Sequence, residues 1–348
     1  TQDARWSVRL RDRRGATDAR HVRRRARLTV AQRFHVAGNT VFDLRLEQWP
    51  DRANHGAAAP DPDRWTQTNV VLAENPPIPM LGGCGAATAY ALGRLSHGLH
   101  RIDLNTRLGA DLFGGLAHHW LLHAGVETLT PPEPAVATST HVIHAEGAGR
   151  RSAFYRGQRV DWHRSLQGLA PDWFVAAGYG LVEAADAEQL ADVCAQLAKK
   201  GARIVVDPGP WFAQAATADQ MAPLWPHVDL LIGTDAELAP YADGSATPRD
   251  LLQLGVGAVV VKQGADGASW ANAQQDGHTQ ANRVDAAYSV GAGDTFNARL
   301  VFGLARGDEL SDAVRAAVGL ATRVVAEERG VFGAFGDQPA VEGLDSQF

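Results

Sequence analysis

From residue 172 onward the chain repeats one pattern: a short unbroken apolar run, a stretch with helical spacing, then another apolar run. DWFVAAGY (172–179) precedes a helical segment of about 185–200, and ARIVVDPGP (202–210) follows it. DLLIGTDAE (229–237) and GAVVVKQGADGA (257–268) continue the series, with helices expected after Asp294 and after Leu310. A strand with one wet face alternates polar and apolar residues, whereas an unbroken apolar run needs cover on both faces. The series therefore predicts an α/β fold with a mostly parallel central sheet between two helical layers. Residues 136–160 behave differently. They alternate in polarity, which predicts an antiparallel hairpin belonging to a small β lid. The stretch 50–80 carries Pro50, Pro60, Pro62, Pro76, Pro77 and Pro79, six of the seventeen prolines, and reads as loop or insertion rather than regular core. Lid segments are thus expected at about 43–80 and 136–160.

Composition removes several classes. With 45% hydrophobic residues the chain can bury a sizeable core. It has no apolar run that could cross a bilayer and no charged start followed by a short apolar segment, so no membrane partner is expected. Two cysteines, Cys84 and Cys194, lack metal or scaffold spacing and fit a reducing cytoplasm. Residues 1–33 hold eleven arginines against Asp3, Asp12 and Asp18, a formal +8 that leaves −14 on the rest of a chain totalling −6. Only Trp6 interleaves that arm and no nucleic-acid-binding pattern accompanies it, so it reads as a disordered extension to a domain of about 34–340.

The segment that points to chemistry is Ser289-Val290-Gly291-Ala292-Gly293-Asp294-Thr295-Phe296-Asn297-Ala298. Three small residues precede an acid, and a helix follows whose apolar face is Phe296, Leu300, Val301 and Leu304. Small residues let backbone N–H groups approach an anion, and a helix N-terminus adds partial positive charge. The amides of Gly291, Ala292 and Gly293 then form an anion hole, and the Asp294 carboxylate can take a proton from an attacking hydroxyl. A plain glycine turn capped by an aspartate would look the same in isolation. A strand followed by GxGxxG is absent, which argues against nicotinamide chemistry.

Position strengthens the motif, because it sits late in the chain after the strand–helix series. The sequence resembles the ribokinase-like PfkB carbohydrate kinases, whose hallmark is a DTxGAGD segment leading into a helix. Other landmarks follow in family order: Gly38-Asn39 with Asp43, Gly82-Gly83 with Gly85-Ala86, Arg107 to Gly114, Asp207-Pro208, Asp229 with Glu237, and Gly264-Ala265-Asp266-Gly267-Ala268. The resemblance implies ATP-dependent phosphorylation of a sugar or sugar-like hydroxyl, with Asp294 as general base. It further implies substrate contacts at Asp43, Gly82 and Gly83, and nucleotide contacts at Thr234, Lys262, Gly264 and Gly267. Glu237 would position Mg²⁺ through water, since that ion keeps much of its hydration shell. Relatives often pair through a lid sheet, so a homodimer is the corresponding expectation.

The family pattern breaks at several positions, and at Ala87 a sugar-reading contact is missing. Ala87 replaces the asparagine that closes the GGxxxN segment, Thr234 replaces that of NxxE, and Gly209 that of the DPN segment. Tyr288 stands where the hallmark begins with aspartate, a residue tied in relatives to a monovalent-cation loop, which removes the basis for expecting potassium activation. Arg299 occupies a usually small position. Two alternatives stay open: a nucleoside kinase of the same fold, and a kinase-like protein kept for binding or regulation. His118, His119 and His123 share a helical stretch without an HExxH arrangement and are read as surface or partner-facing residues.

Overall fold

A computed structural model describes residues 30–46, 77–146, 149–168, 170–180, 182–286 and 288–337. The Arg-rich segment 1–29 and most of the proline-rich stretch, 47–76, lie outside the described residues, and with them the expected extension and most of the first lid segment.

Thirteen strands are described: β1 (Arg33–Gly38), β2 (Val41–Leu46), β3 (Ile78–Gly82), β4 (Arg101–Asn105), β5 (Val126–Thr128), β6 (Ser139–Glu146), β7 (Gly149–Tyr155), β8 (Trp173–Ala177), β9 (Arg203–Asp207), β10 (Leu230–Thr234), β11 (Ala258–Lys262), β12 (Ala268–Asn272) and β13 (Asp276–Thr279). Nine of them form one sheet in the order β13-β12-β11-β10-β9-β8-β1-β4-β5. From β5 to β11 every neighbouring pair is parallel, and β12 and β13 add an antiparallel edge.

Successive residues of the central strands serve different cores. Val205 and Val260 pack on one face with the helices Cys84–Ser96, Ala292–Ala305 and Leu310–Glu327. Ile204, Val206, Val259 and Val261 pack on the other, with the helix Ala184–Lys199 and with Phe212 and Trp225. Two-sided cover is the reason these strands read as continuous apolar runs. The three-layer α/β/α fold inferred from that pattern is present.

The remaining four strands make a second sheet in the order β3-β2-β6-β7. The expected hairpin is β6–β7, paired antiparallel from Thr140 opposite Tyr155 to Glu146 opposite Gly149. At the end of the proline-rich stretch Ile78–Gly82 is β3, which pairs antiparallel with β2 in this second sheet. Pro79 is tolerated there because β3 is the edge of the described sheet, where one row of backbone N–H groups has no described strand to meet.

Candidate active site

Parallel strands of an open α/β sheet present their C-terminal ends to one crevice. Asp207, Thr234 and Lys262 are the last residues of the adjacent strands β9, β10 and β11, and Thr234 and Lys262 are register partners. This alignment brings three residues separated by up to 55 positions to one sheet edge.

Asp207 is the hub. Its Oδ2 accepts Lys262 Nζ at 2.8 Å and Asn297 Nδ2 at 2.6 Å, and its Oδ1 accepts the Gly209 amide at 3.1 Å. Burial alone would push the Lys262 pKa down, but the Asp207 and Glu237 carboxylates outweigh it and hold the ammonium charged. Thr234 and Glu237 cap each other: Thr234 N–H donates to Glu237 Oε2 at 2.7 Å and Glu237 N–H to Thr234 Oγ1 at 3.3 Å. One Glu237 oxygen is thereby spent on the backbone.

The helix Ala292–Ala305 starts beside this network. Its cap, Gly291, has φ 85°, a left-handed conformation that a side chain would strain, and a Cβ there would stand 3.0 Å from the Val331 nitrogen. The first amides of a helix have no carbonyl within it to bond. Here Ala292 N–H donates to Ser289 O at 3.2 Å and Thr295 N–H to Gly291 O at 3.0 Å, so the Ala292 amide expected in the anion hole is already bonded, and those of Gly293 and Asp294 remain at the open end. A Cβ on Gly293 would lie 3.6 Å from Lys262 Nζ, so the lysine ammonium and the positive end of the helix converge.

Asp294 belongs to the first turn of that helix. Burial raises its pKa from 3.8 to about 6; a hydrogen bond from the Cys84 thiol and the Lys262 charge oppose the rise, while Asp207 and Asp43 add to it. The Cys84 thiol is itself pushed well above its ordinary value, first by burial and then by the Asp294 and Asp207 carboxylates. Cys84 reaches this place because the start of its helix is locked to the β1–β2 turn, where Ala86 N–H donates to Asn39 O at 3.1 Å. Gly83, just before it, has φ 81°, and a Cβ would meet Asn39 O at 2.6 Å.

Two cavities meet at Asp294. One, of about 560 Å³, is lined by Thr234, Glu237, Lys262, Gly264, Gly267 and Ala292–Asp294, with apolar cover from Phe296, Val318 and Val325. The other, of about 450 Å³, is lined by Asp43, Gly83, His141, Phe154, Arg156, Trp211 and Gly291. Asp294, Cys84 and Tyr179 line both. A carboxylate with a raised pKa, at a helix N-terminus between two chambers, can take a proton from a molecule in one and face an anion in the other.

Nearly all of the sequence-derived residues come together here. Asp43 sits on the lid strand β2, 3% exposed, with His141 Nδ1 at 3.5 Å from its Oδ1. Gly82 stands behind that carboxylate, since a Cβ would fall 2.1 Å from Asp43 Oδ2; its part is to leave room for Asp43. Tyr288 is buried with the Arg45 guanidinium 5.3 Å over its ring, a protein cation beside the segment where relatives carry the acid. Cys84, Asn297, Tyr179, Arg156 and Trp211 escaped sequence reasoning. Asn297 alone carried a local signal, one turn after Asp294 on the same helix face.

The family model described as pfkB family carbohydrate kinase matches residues 80–332. The chain belongs to the PfkB family. Among solved structures the PfkB chain resembles ribokinase from Thermotoga maritima, at 17% identity and a TM-score of 0.62, covering 87% of this chain and 95% of that one. A nucleoside kinase from Methanocaldococcus jannaschii gives 17% and 0.64, covering 86% and 93%. A ribokinase-II-type protein from E. coli, solved with ATP and Mg²⁺, gives 18% and 0.67, covering 87% and 96%. These likenesses establish the ribokinase fold. No curated protein matches the PfkB chain.

Proposed function

We propose that this PfkB protein transfers the γ-phosphoryl group of ATP to a hydroxyl of a sugar or sugar-like molecule, with Asp294 as general base. The observation that carries the reading is the position of Asp294 at the junction of the two cavities. The larger one takes the nucleotide: Gly264 and Gly267 flank its loop, Val318, Ala321 and Val325 offer an apolar wall, and Lys262 meets the phosphates. The smaller one takes the acceptor, with Asp43 accepting hydrogen bonds from its hydroxyls.

In the step itself the acceptor oxygen bonds to the γ-phosphorus, the bond from that phosphorus to the β–γ bridging oxygen breaks, and ADP leaves. The hydroxyl proton passes to Asp294. Negative charge on the transferring group is met by the amides of Gly293 and Asp294, with Gly291 and Ala292 completing the turn, and by the Lys262 ammonium. Lys262 is held for that purpose by Asp207, and Asp207 by Asn297.

The donor set suits Mg²⁺ held through water. Glu237, Asp207 and Asp294 supply hard carboxylate oxygens to the nucleotide cavity, and among the described residues no group of three His, Cys, Asp or Glu stands ready to bind an ion directly. Glu237, by its oxygen not bonded to Thr234, would hold the hydrated ion, which supplies neutralisation of phosphate charge when bound.

A panel of alcohols offered with Mg-ATP, read by ADP release, tests the proposal. Asp294→Asn should lower kcat by about 10²–10⁴-fold while leaving ATP affinity within about threefold. Equal turnover in mutant and parent would remove Asp294 from the mechanism. A protein kept only for binding would show no such loss.

A further inference from the structure

The acceptor cavity has a wall that proton abstraction and phosphoryl transfer leave unused. Arg156 follows the end of β7, its main chain pinned by Ser139 Oγ, which donates to the Arg156 carbonyl at 2.7 Å. The Arg156 guanidinium lies 4.0 Å from the centre of the Trp211 ring, and Tyr179 meets the same indole edge-on at 6.4 Å. All three line the chamber that holds Asp43 and Asp294.

One hydrogen-bond donor on this wall is buried without an acceptor, and one solvent-exposed cation has no counter-charge among the described residues. Arg159, three residues on, is committed to Glu183 and Asp186, whereas no carboxylate pairs with Arg156 among the described residues. The Trp211 indole N–H is buried and has no partner among the described residues. A buried donor left unbonded costs free energy, and a ligand acceptor recovers it. A guanidinium lying along an aromatic face keeps its forked N–H edge free, the geometry that matches a carboxylate or phosphate bidentately. The same stacking covers one face of Trp211, the surface on which a nucleobase would lie.

We propose that the acceptor is an anionic polyol whose carboxylate or phosphate is held by Arg156 and the Trp211 indole N–H, while its reacting hydroxyl faces Asp294. This rests on the kinase reading and specifies its substrate class. Asp43 and His141 read the hydroxyls between the two ends, and the negative group sits on the one cationic side chain of the chamber that no described carboxylate neutralises.

The test uses the full chain with Mg-ATP and three acceptor groups: neutral sugars with adenosine, sugar acids bearing a carboxylate, and hexose monophosphates. One of the two anionic groups should exceed every neutral acceptor in kcat/KM by about 100-fold, the worth of a charge-assisted bidentate contact. Which group does so distinguishes carboxylate from phosphate. Arg156→Gln should raise KM for that acceptor about 10–100-fold with kcat within about threefold, Arg156→Lys should fall between, and Trp211→Phe should raise KM about fivefold. Neutral sugars or adenosine turned over as efficiently as the anions, or an unchanged KM in Arg156→Gln, would overturn the proposal and leave the kinase standing. Absence of turnover on every acceptor would instead refute the kinase reading. Calorimetric titration of sugar acids and hexose monophosphates then decides the anion site: binding weakened in Arg156→Gln upholds it, and no binding refutes it.

Discussion

The pH dependence of turnover examines the Asp294 site most closely, because its acid limb is set by neighbours that can be removed singly. Burial lifts the Asp294 pKa to about 6, against the pull of the Cys84 thiol and Lys262. A base works only when ionised, so kcat/KM should fall about tenfold per pH unit well below 6 and level off above about 7. At pH 5 about one site in ten would be ionised. Cys84→Ala deletes the thiol that donates to the carboxylate and leaves the burial in place. A hydrogen bond to a charged group contributes about 1.5 kcal/mol, and one pKa unit corresponds to about 1.4 kcal/mol, so the limb should move up by about one unit. At pH 6 the variant would then lose about fivefold in kcat/KM, and at pH 8 almost nothing. Cys84→Ser, which keeps a donor, should stay within about half a unit of the parent. A coupled ADP-release assay between pH 5 and 9 measures all three. A parent limb below pH 5, or a Cys84→Ala limb that stays put or moves down, would show that this carboxylate is not the titrating base or that the thiol does not touch it.

Three further outcomes are expected from the same geometry. The native pKa of Asp294, about 6, lies above its unfolded value of 3.8, so the folded state binds this proton more tightly and loses stability as pH rises through that interval; Asp294→Asn should therefore raise the melting temperature at pH 8 by up to the equivalent of about 3 kcal/mol, with no gain below pH 3.8. Lys262→Met strands the Asp207 carboxylate, 7% exposed, and should cost about 3 kcal/mol in urea denaturation while raising KM for ATP; adding Asp207→Asn should restore most of the stability but not the affinity. Gly82→Ala places a methyl 2.1 Å from Asp43 Oδ2, so the carboxylate must move, and the acceptor KM should rise about tenfold with ATP binding unchanged; a KM within twofold of the parent would detach Asp43 from the acceptor.

Features whose cause is local could be read from the chain alone. Unbroken apolar runs such as Ile204–Val206 and Val259–Val261 predict buried parallel strands, because two-sided burial removes the polar alternation. Gly291 to Asp294 predicted a glycine turn, a helix start and a first-turn acid, because these are properties of consecutive residues. The β6–β7 hairpin was visible for the same reason. Landmarks were harder to weigh. Asp111, within a family-like turn, is structural: its Oδ1 caps Gly114 at 2.8 Å and its Oδ2 accepts the Thr138 amide at 2.8 Å, just ahead of β6.

What surrounds Asp294 came from the tertiary structure. The order β11-β10-β9 sets Lys262 against Asp207, and the Cys84 helix, 210 positions before Asp294, delivers a thiol to its carboxylate. Likewise the folding of β2 and β6–β7 over the crevice gathers Asp43, His141 and Arg156 opposite nothing their own neighbours in sequence announce. Periodicity encodes which way a side chain faces within its own element. It carries no record of which elements become neighbours, and both the raised pKa of Asp294 and the unbonded Trp211 indole N–H of the acceptor cavity arise only from that neighbourhood.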